Sequence, residues 1–156
     1  MSNRGKEFER KFQEDFLKIS PNVSLDRLYD PSGGYSGIKN ICDFIGYIYP
    51  NIYYIECKSS QGNTWPLANL TQYDKMLPKV GLPGVRAGVV LWMIDHDVVV
   101  YVPIKTVTAM KADGKKSFNI KDLAHDTYRT ITVPSKKKRV FLDSDYSILQ
   151  ELQEGD

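Results

Sequence analysis

The stretch that most restricts the fold is residues 41–58, ICDFIGYIYPNIYYIECK. Two runs rich in Ile, Tyr and Phe flank Pro50-Asn51, which is turn chemistry, so the stretch reads as a β-hairpin. With Pro50 and Asn51 as the loop, Tyr49 faces Ile52 and Asp43 lies across from Lys58. Glu56 falls on the same face as Lys58 because strand side chains alternate. An error of two in the pairing leaves Asp43, Glu56 and Lys58 together; an error of one separates Asp43. Ile45, Tyr47, Ile52 and Tyr54 share that face, and Phe44, Ile48, Tyr53 and Ile55 the other. Both faces are apolar, as in a sheet covered on each side.

Two carboxylates and an ammonium at the end of such a sheet are costly unless paired or bound to a cation. Neighbouring carboxylates repel, which raises one pKa until a divalent cation neutralises them. As oxygen ligands, Asp43 and Glu56 suit Mg²⁺ or Mn²⁺, with waters and a substrate phosphate completing the shell. Lys58 is then placed to orient or deprotonate a water and to stabilise phosphate charge. The plainer alternative is a cross-strand salt bridge from Lys58 to Asp43 or Glu56, worth little at a surface. Spacing alone leaves both open.

At 156 residues the chain, residues 1–156, is expected to be a single domain with a proper core. Its net charge of +2 does not mark it as a nucleic-acid binder, so local clusters must make that case. Cys42 and Cys57 are expected as diagonal neighbours on the second face of the hairpin, reduced and buried. Two thiols without paired histidines lack a zinc ligand set. No apolar run approaches a membrane span and the start is polar, so the expected place of work is the cytosol.

Residues 3–19 read as an amphipathic helix, with Phe8, Phe12, Phe16 and Ile19 as its buried stripe and Pro21 as its stop. Glu9 lies near the edge of that stripe, either pointing toward the hairpin or solvated. Arg4, Lys6, Arg10 and Lys11 give this end a basic face, a phosphate-binding candidate or simply a solubilising one. A short strand, residues 23–29, carries Arg27. The Gly-rich residues 30–39, ending at Lys39, lack the Gly-Lys-Ser/Thr end of a nucleotide-binding loop. They suit either closure over a backbone phosphate or mere connection.

Residues 59–65 read as loop, followed by a helix over 69–77 with Gln72 near its start and Pro78 as its stop. Residues 85–94 carry the strongest buried-strand signal; a turn at residues 95–97 leads to a strand over 98–102. His96 reads as a turn residue. A short helix over 104–111 follows Pro103, and residues 115–139 carry weak signals, with a short helix at 120–125. The run Lys136, Lys137, Lys138 and Arg139 is by default a solvated loop, although adjacent cations also suit a DNA backbone. Residues 146–152 read as a final short helix.

The order helix, three strands, helix, two strands, with Asp43 and Glu-x-Lys on the second and third strands, resembles the PD-(D/E)XK nuclease superfamily. Within it the chain is similar to the RecU-type Holliday junction resolvases, particularly compact phage versions. The matching points are Asn3-Arg4-Gly5, Asp43-Phe-Ile-Gly46, Glu56-Cys-Lys58, Trp65-Pro-Leu67 and Gln72. Gly5 followed by Glu9-Arg10 also resembles the archaeal junction resolvases. Cys42 stands where the superfamily has proline, and only residues 30–39 occupy the place of the RecU stalk.

The resemblance implies an α/β restriction-endonuclease-like core, with a mixed central sheet flanked by helices. It also implies Mg²⁺-dependent (or Mn²⁺-dependent) hydrolysis of DNA phosphodiesters. Asp43, Glu56 and the Cys57 carbonyl would hold the metal, Lys58 would act on the water, and Glu9 and Gln72 would assist. A symmetric homodimer acting on branched DNA is implied, since a junction is nicked at two symmetry-related positions. Arg4, Lys6, Arg10, Arg27, Lys39, Lys136, Lys137, Lys138 and Arg139 are the expected DNA contacts. The alternatives are a nuclease of linear duplex and a DNA-binding module without catalysis.

Overall fold

The structure, a computed structural model, describes residues 3–29 and 40–156. Helix α1 (Asn3–Leu17) buries Phe8, Phe12 and Phe16 along one stripe. It ends two residues before Ile19, in a tightened turn closed by i→i−3 bonds from the Lys18 and Ile19 amides. Strands β1 (Ser24–Arg27), β2 (Phe44–Ile48) and β3 (Asn51–Ser60) follow.

Strand β4 (Thr64–Pro66) leads to a 3₁₀ turn at Leu67–Asn69, helix α2 (Tyr73–Met76) and a second 3₁₀ turn at Leu77–Lys79. Next come β5 (Val85–Met93), β6 (Val98–Pro103), α3 (Ile104–Ala112), β7 (Ser117–Asn119) and β8 (Ile131–Val133). The chain closes with β9 (Ser135–Lys138), β10 (Phe141–Ser144) and a 3₁₀ segment, Tyr146–Glu151.

Six strands form a mixed central sheet in the order β1-β2-β3-β5-β6-β8, with β3 and β5 parallel and the other pairs antiparallel. Strand β5 is buried from Arg86 to Met93, as its apolar run requires of a central strand. One face packs under α1 and the Tyr146–Glu151 segment, through Phe12, Phe16, Phe44, Tyr53, Ile55, Tyr101 and Tyr146. The other packs Val89, Leu91 and Val100 against Trp65, Leu67, Met76, Val107 and Met110. The expected α/β class, a mixed sheet flanked by helices, is what the chain adopts. Gly46 has a steric reason: a Cβ there would sit 2.8 Å from the Phe16 ring, so glycine lets α1 lie close on the hairpin.

Several local expectations are corrected. The hairpin turn is Tyr49-Pro50, and Asn51 already pairs with Ile48. Tyr47 therefore faces Ile52 and Phe44 faces Ile55, a register two residues from the expected one. A shift of two preserves the faces, so the acidic pair and Lys58 stay together. Residues 59–65 are not one loop: β3 runs to Ser60, and β4 pairs with β7.

The helix expected over 69–77 is broken, because Leu70 leaves helical geometry (ψ 80°) to bury its side chain and Pro78 supplies no amide donor. The basic run is half of a β9–β10 hairpin rather than a loop. Cys42 and Cys57 do not share a face: both are free and buried, but Cys42 packs with Trp65 and Leu67, Cys57 with Phe8 and Val90.

Candidate active site

The site forms where the β2–β3 ladder ends. Phe44 is the last β2 residue in register, and Cys42 leaves the ladder. The Cys57 amide thus loses a main-chain partner and donates instead to Asp43 Oδ2 at 2.9 Å. Asp43 is held in the sheet plane by the strand it faces. Its Oδ1 accepts from Arg27 Nη1 at 3.0 Å, and the same nitrogen donates to the Asp43 and Leu28 carbonyls.

Arg27 reaches this point because β1 pairs Arg27 with Phe44, whose ring lies 5.2 Å beneath the guanidinium. Its Nη2 donates to Glu9 Oε2 at 3.1 Å. Arg27 therefore joins α1, β1 and the hairpin. Expected as an outer DNA contact, it is a member of the acidic cluster, and the cross-strand register that puts it there was not read from the sequence.

Glu56 is 2% exposed. Its Oε2 lies 3.4 Å from Lys58 Nζ, and its Oε1 is buried with no hydrogen-bond partner. Burial, and then the neighbouring Asp43 carboxylate, push its pKa up to about 8 against the partial relief of Lys58. Glu9 is raised too, by burial and then by Asp43, with Arg27 opposing. Glu9 and Glu56 thus converge on Asp43, making three carboxyl groups attended by one guanidinium and one ammonium.

A groove of about 610 Å³ opens beside this cluster, lined by its Glu9, Arg27 and Lys58 and not by Asp43 or Glu56. Gly5, Lys6, Phe8 and Glu9 of α1 form one wall; Arg27, Cys57, Lys58 and Ser59 line its base, and Trp65, Ala68, Asn69 and Thr71 form the far wall. That far wall was not anticipated, since it depends on β4 pairing with β7 across some fifty residues. Gln72 stands one residue behind it, its amide oxygen accepting from the Thr71 hydroxyl at 3.0 Å.

The basic candidates separate. Lys6 lines the groove, Arg4 is exposed beside it, and Arg10 pairs with Glu14. Lys11 is structural, bridging Asp15 at 2.8 Å and Asp143 at 2.6 Å. Lys136, Lys137, Lys138 and Arg139 are exposed on the β9–β10 hairpin and do not line the groove. Lys39 and the Gly-rich residues 30–39 lie outside the described residues.

Among the described residues no group of three or more His, Cys, Asp or Glu is arranged to hold a metal by side chains alone. The donors fit a hard cation that takes its remaining ligands from main chain, water and substrate. Glu56 Oε1 is an orphaned buried oxygen, and burial together with the adjacent Asp43 carboxylate opposes ionisation of Glu56, a cost that a cation would offset. The Cys57 thiol is buried and pushed well up in pKa, so only its carbonyl suits such an ion.

No family model matches the chain, and no curated protein does. Among solved structures it is similar to Hjc from Archaeoglobus fulgidus, a Holliday junction resolvase from an archaeal hyperthermophile. The TM-score is 0.51 at 15% identity, over 78% of this chain and 100% of that one. The likeness is one of fold.

Proposed function

We propose that this chain is a cation-dependent endonuclease that hydrolyses DNA phosphodiesters, with four-way junctions as its substrate. The observation that carries the reading is a buried, partnerless carboxyl oxygen on Glu56, beside Asp43 and next to Lys58, which lines a groove. A fold shared with a junction resolvase supports it. In finer detail the reading is of a compact RecU-like enzyme acting as a symmetric homodimer, as phage versions do.

Asp43, Glu56 and the Cys57 carbonyl are the groups that would hold Mg²⁺ or Mn²⁺. Bound there, the cation would supply Lewis-acid activation of water and charge neutralisation at the scissile phosphate. Lys58, tethered to Glu56, orients the attacking water and donates to a non-bridging oxygen as charge develops. Water oxygen forms the new bond to phosphorus and gives up a proton to solvent, the bond to the leaving sugar oxygen breaks, and that oxygen is protonated from solvent. Arg27 fixes the rotamers of Asp43 and Glu9. Lys6, with Arg4 and Arg10 above it, holds the backbone of the cut strand along α1. Gln72 steadies the far wall.

The test is cleavage of a labelled four-way junction and of a linear duplex in Mg²⁺, by wild type and by Asp43→Asn. The expected outcome is preferential cutting of the junction by wild type and none by the variant. Equal cutting of both substrates points instead to a duplex nuclease. Binding without cutting points to a DNA-binding module, and activity surviving in Asp43→Asn overturns the site.

A further inference from the structure

We infer that the β9–β10 hairpin is a wing that grips the phosphate backbone of a duplex arm leaving the groove, through Lys136, Lys138 and Arg139. This rests on DNA being the substrate, but not on where or whether it is cut.

The hairpin is a rigid ribbon. Leu142 is buried in the core beneath α1. Phe141 packs on Trp92 (5.3 Å between ring centroids), and Trp92 on Phe8 (5.5 Å), which itself lines the groove. The root is fastened to α1 by Lys11 on Asp143 and by the Ser144 amide on Asp15 Oδ2 at 3.0 Å. Lys11 is five residues along α1 from Lys6, less than two turns from the groove wall. The wing thus stands beside the site, at the end of the sheet where Ser59 pairs with Trp92.

Its four cations are not equivalent. Lys137 is committed to Asp97 at 3.0 Å, which ties the ribbon to the β5–β6 turn. Lys136, Lys138 and Arg139 make no ion pair among the described residues, and Asp143 opposite Lys136 is already taken by Lys11. Three cations without an ion pair on one short ribbon repel one another, Lys138 being partly offset by Asp143, and Lys is a poor strand former.

Arg139 holds the turn in the left-handed region (φ 54°), where glycine would be free of strain and an arginine is not. Beside it Val140 is 49% exposed. Self-repulsion, low strand propensity and backbone strain are all relieved or offset if a polyanion lies along the ribbon. In a chain of net charge +2 this local concentration fits a DNA backbone.

The experiment is fluorescence anisotropy of a labelled junction and of a linear duplex in Ca²⁺, from 50 to about 200 mM KCl, the range over which counterion release is read. A Lys136→Ser/Lys138→Ser/Arg139→Gly variant is expected to lower the log–log salt slope by about 2–3 and to weaken binding roughly tenfold or more. Arg139→Gly alone is expected to raise the unfolding midpoint by about 2–4 °C while weakening binding. A merely structural tip would not show that pairing.

Equal slopes and affinities for wild type and the triple variant overturn the wing, whether or not wild type cuts in Mg²⁺. A wild type that binds with a slope the triple variant reduces, yet never cuts, supports the wing and removes the nuclease. A wild type without affinity for either DNA removes both.

Discussion

The two ends of the β2–β3 ladder invert the usual placement of residue types. At the turn end Tyr47, Tyr49 and Ile52 are 39%, 78% and 41% exposed. At the open end Glu56, a carboxylic acid, is 2% exposed, and one of its oxygens lacks a partner. Between them Phe44, Tyr53 and Ile55 are fully packed beneath α1. The middle of the hairpin holds the fold together, while the open end carries an acid whose burial opposes its ionisation. Local sacrifice of stability of this kind is what a functional site asks of a scaffold.

Changes along this one hairpin separate the two roles. The largest effect is expected from Asp43→Asn, which keeps the side-chain shape but removes the charge and leaves one acceptor oxygen where the Cys57 amide and Arg27 use two. Single-turnover junction cleavage should fall by roughly 10³-fold or more, about 4 kcal/mol of barrier.

Over the packed middle, on the α1 side of the contact, Phe12→Ala is expected to cost about 3–5 kcal/mol in urea unfolding, because the ring is wholly buried among Phe16, Phe44 and Tyr146.

Glu56→Gln should move the other way and stabilise the metal-free protein. The folded pKa of Glu56, about 8, lies above the ordinary carboxyl value of 4.5. Between those values the native state binds more protons than the unfolded one. The stability associated with the protonated group is complete below pH 4.5 and is lost as pH rises through about 8. Unfolding midpoints across that range should fall in wild type and flatten in Glu56→Gln. A parallel decline in both would locate the cost elsewhere.

Tyr47→Ser and Ile52→Thr at the turn end should shift stability by no more than about 0.5 kcal/mol and leave cleavage unchanged. Large losses from either would erase the contrast between the ends.

What the sequence revealed follows the range of each signal. The Phe8, Phe12 and Phe16 stripe and the apolar run of β5 are local periodicities, and each became the element expected of it. Asp43, Glu56 and Lys58 came together because strand alternation tolerates the two-residue register shift caused by a turn at Tyr49-Pro50. Strands β4, β7 and β8 are three residues each and exist only through distant partners, so no local pattern announced them. Arg27 reads as an ordinary strand cation until β1 is laid against β2. Ser135-Lys-Lys-Lys138 has the composition of a solvated loop, and becomes a strand because Phe141 and Leu142 across the turn are drawn into the core.

The carboxylate pair and its cation are tested most directly by thermal unfolding at pH 8 with and without Mn²⁺, for wild type and Glu56→Gln. At about ten times its dissociation constant the ion should raise the wild-type midpoint by roughly 3–6 °C and leave the variant unmoved. An equal rise in both proteins, or none in wild type, would contradict a cation seated between Asp43 and Glu56.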